Sequence, residues 1–397
     1  MAERPRVAAI VSTYHPRSHA DVIVGKFVRG FPTDEGLRPP RAQVASLYID
    51  QVHDNDVGRE LAEAHGIRLC RSIPEALTLG GNTLAVDGVL SIAEQGEYAD
   101  NERGQQLYPR RHFFEQISGV IACAARPVPV FSDKHLATEW ADARWICDRA
   151  RELAIPLMAG SSNPLLWRDP WLEHELGIEL DDAVVISYGH VEAYGYHAAE
   201  ALQAMVERRR GGETGLRAVQ CLKGEAVWQA ARDGRWSREL AEAAIQVVAK
   251  AHESQGPLEA SWDRPVAFLL EYVDGFSATV LHLDSYTGYI RGRSYAARVG
   301  GEIQTTGMHS MSAPPFSHFS YLALNVEEMF LSGEPQYPVE RTLLVTGAMA
   351  ALMESAHQGQ VRLKTPHLNV AYQPFAQAPI RPTQPRPTGA SLVAFEH

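Results

Sequence analysis

Through the first 160 residues, short unbroken apolar runs alternate with stretches whose apolar residues recur every three or four positions. Val7–Val11 is the first run and predicts a buried strand. Ser18-His-Ala-Asp21 follows as a capping box, and Ile23, Val24, Phe27 and Val28 share one helical face that Gly30 can end. Residues 45–50, 67–70, 86–93, 128–131 and 155–158 predict five further strands. Between them, helices are expected over 57–65, from the Ser72-Ile-Pro-Glu75 capping box to Gly80, around Phe113, Phe114 and Ile117, and over 137–153. Strands alternating with helices predict βαβ units and a parallel sheet, whose ligands bind beyond the carboxyl ends of the strands. Residues 12–18, 93–98 and 132–135 should therefore meet at one crevice.

The second half has a different rhythm. A strand is expected over 183–187, a helix over 197–208 and a helix capped by Ser237. Residues 266–272 and 277–283 flank Asp274-Gly275, a hairpin signal. A strong helix is expected over 339–356. The expected organisation is α/β: a parallel-sheet domain over 1–160, an α+β substrate and oligomerisation domain with an open, largely antiparallel sheet over 161–375, and an extended or disordered tail over 376–397. The late helix is positioned to pack back on the first domain.

Composition narrows the function classes. The 397 residues carry 37 Lys+Arg against 48 Asp+Glu, a net charge of −11, with no basic block. This balance argues against nucleic acid or an anionic membrane as partner. No 18-residue apolar run and no secretory leader pattern occur, and the four cysteines (Cys70, Cys123, Cys147, Cys221) lack metal or redox spacing. Together these features predict a cytoplasmic protein. The densest cluster of polar and aromatic groups is Tyr188-Gly-His190-Val-Glu192-Ala-Tyr194-Gly-Tyr196-His197, a composition suited to a carbohydrate. His190, Glu192 and His197 are also of metal-ligand type, though their spacing matches no metal signature. His15, His19, His53, His112 and His135 lie near the strand ends. Together they could line a pocket; singly each reads as a surface histidine.

Several stretches resemble the glucose–fructose oxidoreductase/inositol dehydrogenase (Gfo/Idh/MocA) family. Ala62-Glu-Ala-His-Gly66 through Ser72-Ile-Pro-Glu-Ala-Leu77 is similar to a helix–strand segment of that family. Ser132-Asp-Lys-His-Leu136 resembles its Glu-Lys-Pro motif, and Tyr194-Gly-Tyr-His197 its Asp-x-Gly-x-His stretch. The resemblance implies an N-terminal Rossmann-like domain, hydride transfer between NAD or NADP and a sugar or cyclitol, and a homo-oligomer joined through the exposed sheet face. It places Lys134 as the catalytic lysine and His197 as the catalytic histidine, with Tyr194 where the family has an acid. His190, Glu192, Tyr196 and His135 would then line the substrate pocket. Ser12, Tyr14, Arg17, Ser18 and Asp50 fall where the dinucleotide would bind. The family's glycine-rich turn is here Ser12-Thr-Tyr-His-Pro-Arg-Ser18, without glycine. Side chains there push a dinucleotide outward or exclude it. Two alternatives share the scaffold: a non-redox lyase, hydrolase or isomerase using a divalent metal or acid–base residues alone, and a non-catalytic sugar binder.

Overall fold

The computed structural model describes residues 4–248, 264–283, 292–311, 314–377 and 379–382. Six strands, β1 (Arg6–Val11), β4 (Gln43–Ile49), β5 (Arg68–Cys70), β6 (Gly88–Ile92), β7 (Val130–Asp133) and β8 (Leu157–Gly160), form the first sheet. Its order is β5-β4-β1-β6-β7-β8, and every pairing is parallel. The central strands are apolar throughout because helices cover both faces. The connecting helices are α1 (His19–Arg29), α2 (Gly58–Ala64), α3 (Ile73–Thr78), α4 (Arg110–Ala124) and α5 (Trp140–Glu152). Both capping serines act as the sequence predicts: Ser18 accepts from Asp21 N and Ser72 from Glu75 N. A small hairpin, β2 (Phe31–Thr33) with β3 (Gly36–Arg38), follows α1 and was not anticipated.

The second sheet contains β9 (Trp167–Asp169), β10 (Leu180–Ser187), β11 (Leu216–Lys223), β12 (Val266–Tyr272), β13 (Ser277–His282), β14 (Gly292–Val299), β15 (Glu302–His309) and β16 (Leu363–Lys364). The order is β16-β11-β12-β13-β10-β14-β15-β9. Among the described pairings only β10–β13 is parallel, so the sheet is largely antiparallel, and β12–β13 is the expected hairpin. Helix α6 (Ala193–Val206) begins four residues earlier than its sequence suggests, so His197 lies inside it rather than at its start.

Helices α7 (Glu225–Arg232) and α8 (Arg238–Val248) pack on the outer face of this sheet. They bury Trp228, Trp236 and Leu240 against Val184, Ile186, Leu269 and Leu281. That face is thus covered, among the described residues, by the chain's own helices.

Two late helices tie the sheets together. α9 (His318–Ser332) sets Phe330 and Val326 into the core around β1 and α1; a Cβ on Gly88 would lie 2.6 Å from the Phe330 ring. α10 (Val339–His357) is buried on nearly all sides, against β8 and α5 of the first layer and α6 and β11 of the second. One core cluster consequently runs through both sheets. Of the tail, Ile380 exchanges hydrogen bonds with Asn325 and Arg381 pairs with Glu173. Residues 383–397 lie outside the described residues.

Candidate active site

The carboxyl ends of β1, β6, β7 and β8 face the start of α6 and of β14. Lys134 follows β7 directly, and its peptide bond to His135 is cis. Its side chain is 3% exposed, and Nζ donates to Glu94 Oε1 at 2.7 Å. Glu94, on the loop after β6, also accepts from Arg110 at 2.5 Å. Burial alone would raise the Glu94 carboxyl, but the Lys134 and Arg110 cations outweigh it and hold the group well below the usual carboxylate range. Lys134 is therefore a fixed cation in a nearly dry setting, not a solvated loop lysine.

His197 reaches the same crevice from α6. Its Nδ1 lies 2.8 Å from Asn163 Nδ2 and 3.0 Å from Ser161 Oγ. Arg293 at the start of β14 donates to Asn163 Oδ1, which turns the amide nitrogen toward the histidine. The relay from Arg293 through Asn163 thus makes Nδ1 an acceptor and leaves the proton on Nε2. Nε2 has no hydrogen-bond partner among the described residues and is not sealed from solvent. Burial first, and then the charges of Lys134 and Arg293, hold the ring far below the usual imidazole range. The helix dipole contributes little, because His197 sits a full turn inside α6. Behind it, Glu200 accepts from Ser161 N at 3.1 Å and is pushed up to about 7, chiefly by burial.

The remaining substrate candidates separate. Tyr194 is 41% exposed and lies against Tyr188 (ring centroids 5.4 Å apart), with the buried Arg293 guanidinium beneath both rings. His135 is buried, its Nε2 2.9 Å from Glu192 Oε1 but off the hydrogen-bonding direction, so both its ring nitrogens lack a bond. Tyr196 is a correction: it is fully buried behind His135, with its hydroxyl 3.3 Å from Glu200, and faces no open space. His190 is exposed at the edge of α6, where it lines a separate cavity of about 340 Å³ with Glu192, Arg103, Lys223 and His357. His190, Glu192 and His197 do not converge on one point as metal ligands would, and no such cluster occurs among the described residues.

The dinucleotide candidates are mostly spent on the chain's own structure. Ser12 Oγ donates to the carbonyls of Glu94 and Gln95, both at 2.9 Å. Tyr14 is 1% exposed and packs on Gly58, away from any ligand. At the start of α1, Arg17 N donates to Asp21 Oδ2 at 2.9 Å, Ser18 N to His15 O at 3.0 Å and His19 N to Gln95 Oε1 at 2.9 Å. Asp21 N is taken by Ser18 Oγ. The Arg17 side chain is exposed. Asp50 accepts the hydroxyls of both Tyr48 and Tyr98, at 2.8 Å each, one on each carboxylate oxygen. A pyrophosphate binds a helix start through free amides. Here the amides of Arg17, Ser18, His19 and Asp21 are already satisfied, so NAD or NADP does not fit this turn in the usual way.

Sequence reasoning missed Glu94, Arg110, Asn163 and Arg293, which come from four distant segments. It named His19 only as one of five histidines that together could line a pocket. That ring enters the crevice with Nδ1 2.6 Å from Asp133 Oδ2, whereas His15, His53 and His112 stay outside it. Its position just inside the Ser18 cap, on a strand-end turn, was the available signal.

No family model and no curated protein matches this chain. Solved structures do. A protein of gentamicin A biosynthesis, solved in complex with NAD, is 15% identical over 92% of this chain and 97% of that one, with a TM-score of 0.57. The scyllo-inositol dehydrogenase of Lactobacillus casei is 10% identical over 91% of this chain and 98% of that one, TM-score 0.56. The myo-inositol 2-dehydrogenase of Lactobacillus plantarum is 9% identical over 91% and 99%, TM-score 0.55. The likeness is one of fold, and it spans both sheets.

Proposed function

We propose that this chain, which has the fold of the inositol and sugar dehydrogenases, is an acid–base enzyme acting on a sugar, cyclitol or related hydroxy-carbonyl compound. The observation that carries the reading is the meeting of Lys134 and His197 in one crevice: a buried cation anchored by Glu94, and a neutral imidazole that presents Nε2. Lys134 polarises the reacting carbonyl or hydroxyl oxygen. His197 exchanges a proton with that oxygen, and its neutrality lets it do so without a competing charge. Tyr194 and Tyr188 supply an aromatic rim suited to a polyhydroxylated ring. All four cysteines are free, which accords with a reducing, cytoplasmic setting.

The closed α1 start favours chemistry that needs no added dinucleotide. The NAD held by the gentamicin-pathway structure favours a second reading, hydride transfer, in which the cofactor would have to reach the crevice by another route. The experiment is a panel of inositols, aldoses and ketoses incubated with the full chain, with and without NAD⁺ or NADP⁺, and followed both by substrate NMR and by nicotinamide absorbance. Turnover without dinucleotide that is lost in His197→Ala is expected. Turnover only with dinucleotide would install the second reading, and full activity in His197→Ala would overturn both.

A further inference from the structure

We propose that the His19–Asp133 pair is the general base of this site, taking the proton from the carbon beside the substrate's carbonyl while Lys134 and His197 hold the oxygen. The inference deepens the acid–base reading above and rests on it.

The two histidines of the crevice are held in opposite ways. His197 accepts at Nδ1 and so presents an N–H. His19 donates at Nδ1 to Asp133 Oδ2, 2.6 Å away, and so presents a lone pair at Nε2. Asp133 is 2% exposed and cannot swing out into water. A buried carboxylate behind Nδ1, with Nε2 free, is how an imidazole is fixed as a base. His19 Nε2 makes no bond among the described residues and remains accessible to solvent. The backbone nitrogen of His19 is pinned by Gln95, and its ring lies edge-on to Phe319 at 5.5 Å, so its direction is set.

The charged and titratable groups around His19 come from several elements: Asp133 and Lys134 from the end of β7, Glu94 from the loop after β6, His197 from α6 and His318 from α9. Burial alone would lower its pKa, but Asp133 outweighs burial and the ring is raised above the usual imidazole value. His197 is lowered. Two titratable groups driven apart by their surroundings mark separate roles in one reaction. Lys134 acts electrostatically on both rings.

The step balances without an oxidant. The C–H proton passes to His19 Nε2. The electron pair of that bond moves into the carbonyl and gives an enediolate, whose oxygen is met by the Lys134 ammonium and the His197 N–H. Collapse returns a proton to carbon. In deuterated water the returned proton has exchanged, so the substrate acquires deuterium beside the carbonyl.

The test follows that label by proton NMR with the full chain, no dinucleotide and a panel of aldoses, ketoses and inososes. The wild type is expected to exchange at least one member, and His19→Gln to lose the exchange by about 100-fold or more. Exchange in the wild type should rise with pH through the His19 titration, and Asp133→Asn should move that rise to lower pH. Should His19→Gln fail to fold, the wild-type histidine rings titrated by NMR decide instead: His19 is expected to titrate above the ordinary imidazole value. Wild-type exchange in a folded His19→Gln, or ordinary titration of His19, would overturn this assignment. In that case loss of exchange in His197→Ala would leave the broader reading standing. No exchange by the wild type on any panel member would overturn both.

Discussion

The β1–α1 turn and the crevice beyond β7 lie at the same edge of one sheet, yet they handle their charged groups differently. In the turn, the groups at the helix start find partners nearby: Ser18 with Asp21, Arg17 with Asp21, His19 N with Gln95, Asp50 with two tyrosines; only the buried Thr13 Oγ1 and Tyr14 hydroxyl, which face the core, lack one. In the crevice, buried polar atoms are left over: Asp133 Oδ1, Arg110 Nη1, Arg293 Nε and both ring nitrogens of His135. A buried polar atom without a partner costs on the order of 1–3 kcal/mol. A fold tolerates several at one place when something else is to bind there. The helix-start amides of the turn are spent on the chain's own structure, and the proposed chemistry lies around Lys134.

The variants that test this contrast differ widely in expected effect. His197→Ala should lower turnover by ~100- to 10,000-fold with little change in folding, read by substrate NMR and a denaturant melt. Glu94→Gln should act on stability first. It leaves Lys134 and Arg110 buried without their shared counter-charge, a loss of ~3–5 kcal/mol in urea unfolding. Gly160→Ala should cost at least ~1 kcal/mol. The glycine has φ +125°, and a Cβ there would lie 2.2 Å from Glu200 Oε1. Glu200 would be pushed off Ser161 and His197 loosened, so activity should fall together with stability.

Acid should reveal Glu192. Burial opposes its charge, but His135, then Lys134 and Arg110, bring its pKa from 4.5 down to about 2. A carboxyl depressed on folding stabilises above its unfolded pKa, and that contribution disappears as pH falls from 4.5 toward 2. Glu192→Gln should flatten this part of the stability–pH curve. The smallest effect belongs to the turn. Ser18→Ala should cost ~1 kcal/mol of stability and leave turnover unchanged. A large loss of activity there would break the contrast.

Much of the fold was legible because its signals are local. Apolar runs mark buried parallel strands, Ser18 and Ser72 mark helix starts, and Asp274-Gly275 marks a hairpin. α9 was not legible, because it buries Ser320, Asn325 and Glu327 beside its apolar residues, so no clean stripe exists. Glu327, for instance, is satisfied by the backbone nitrogens of Arg41 and Ala42, far away in sequence. Lys134 and His197 were found through the family resemblance. Their partners were not, because Glu94, Asn163 and Arg293 gain meaning only when three loops and a strand from both sheets meet. Tyr14 and Tyr196 look like pocket residues in sequence, but packing on Gly58 and behind His135 makes them core.

The most direct test of the account is the protonation state of His197 in the full-length protein, followed by nitrogen-15 NMR of the histidine rings across neutral pH, in the wild type and in Lys134→Met. The account predicts a neutral ring carrying its proton on Nε2 in the wild type, with a pKa that moves upward once the Lys134 charge is removed. A wild-type His197 that titrates at the ordinary imidazole value, unmoved by loss of Lys134, would contradict it.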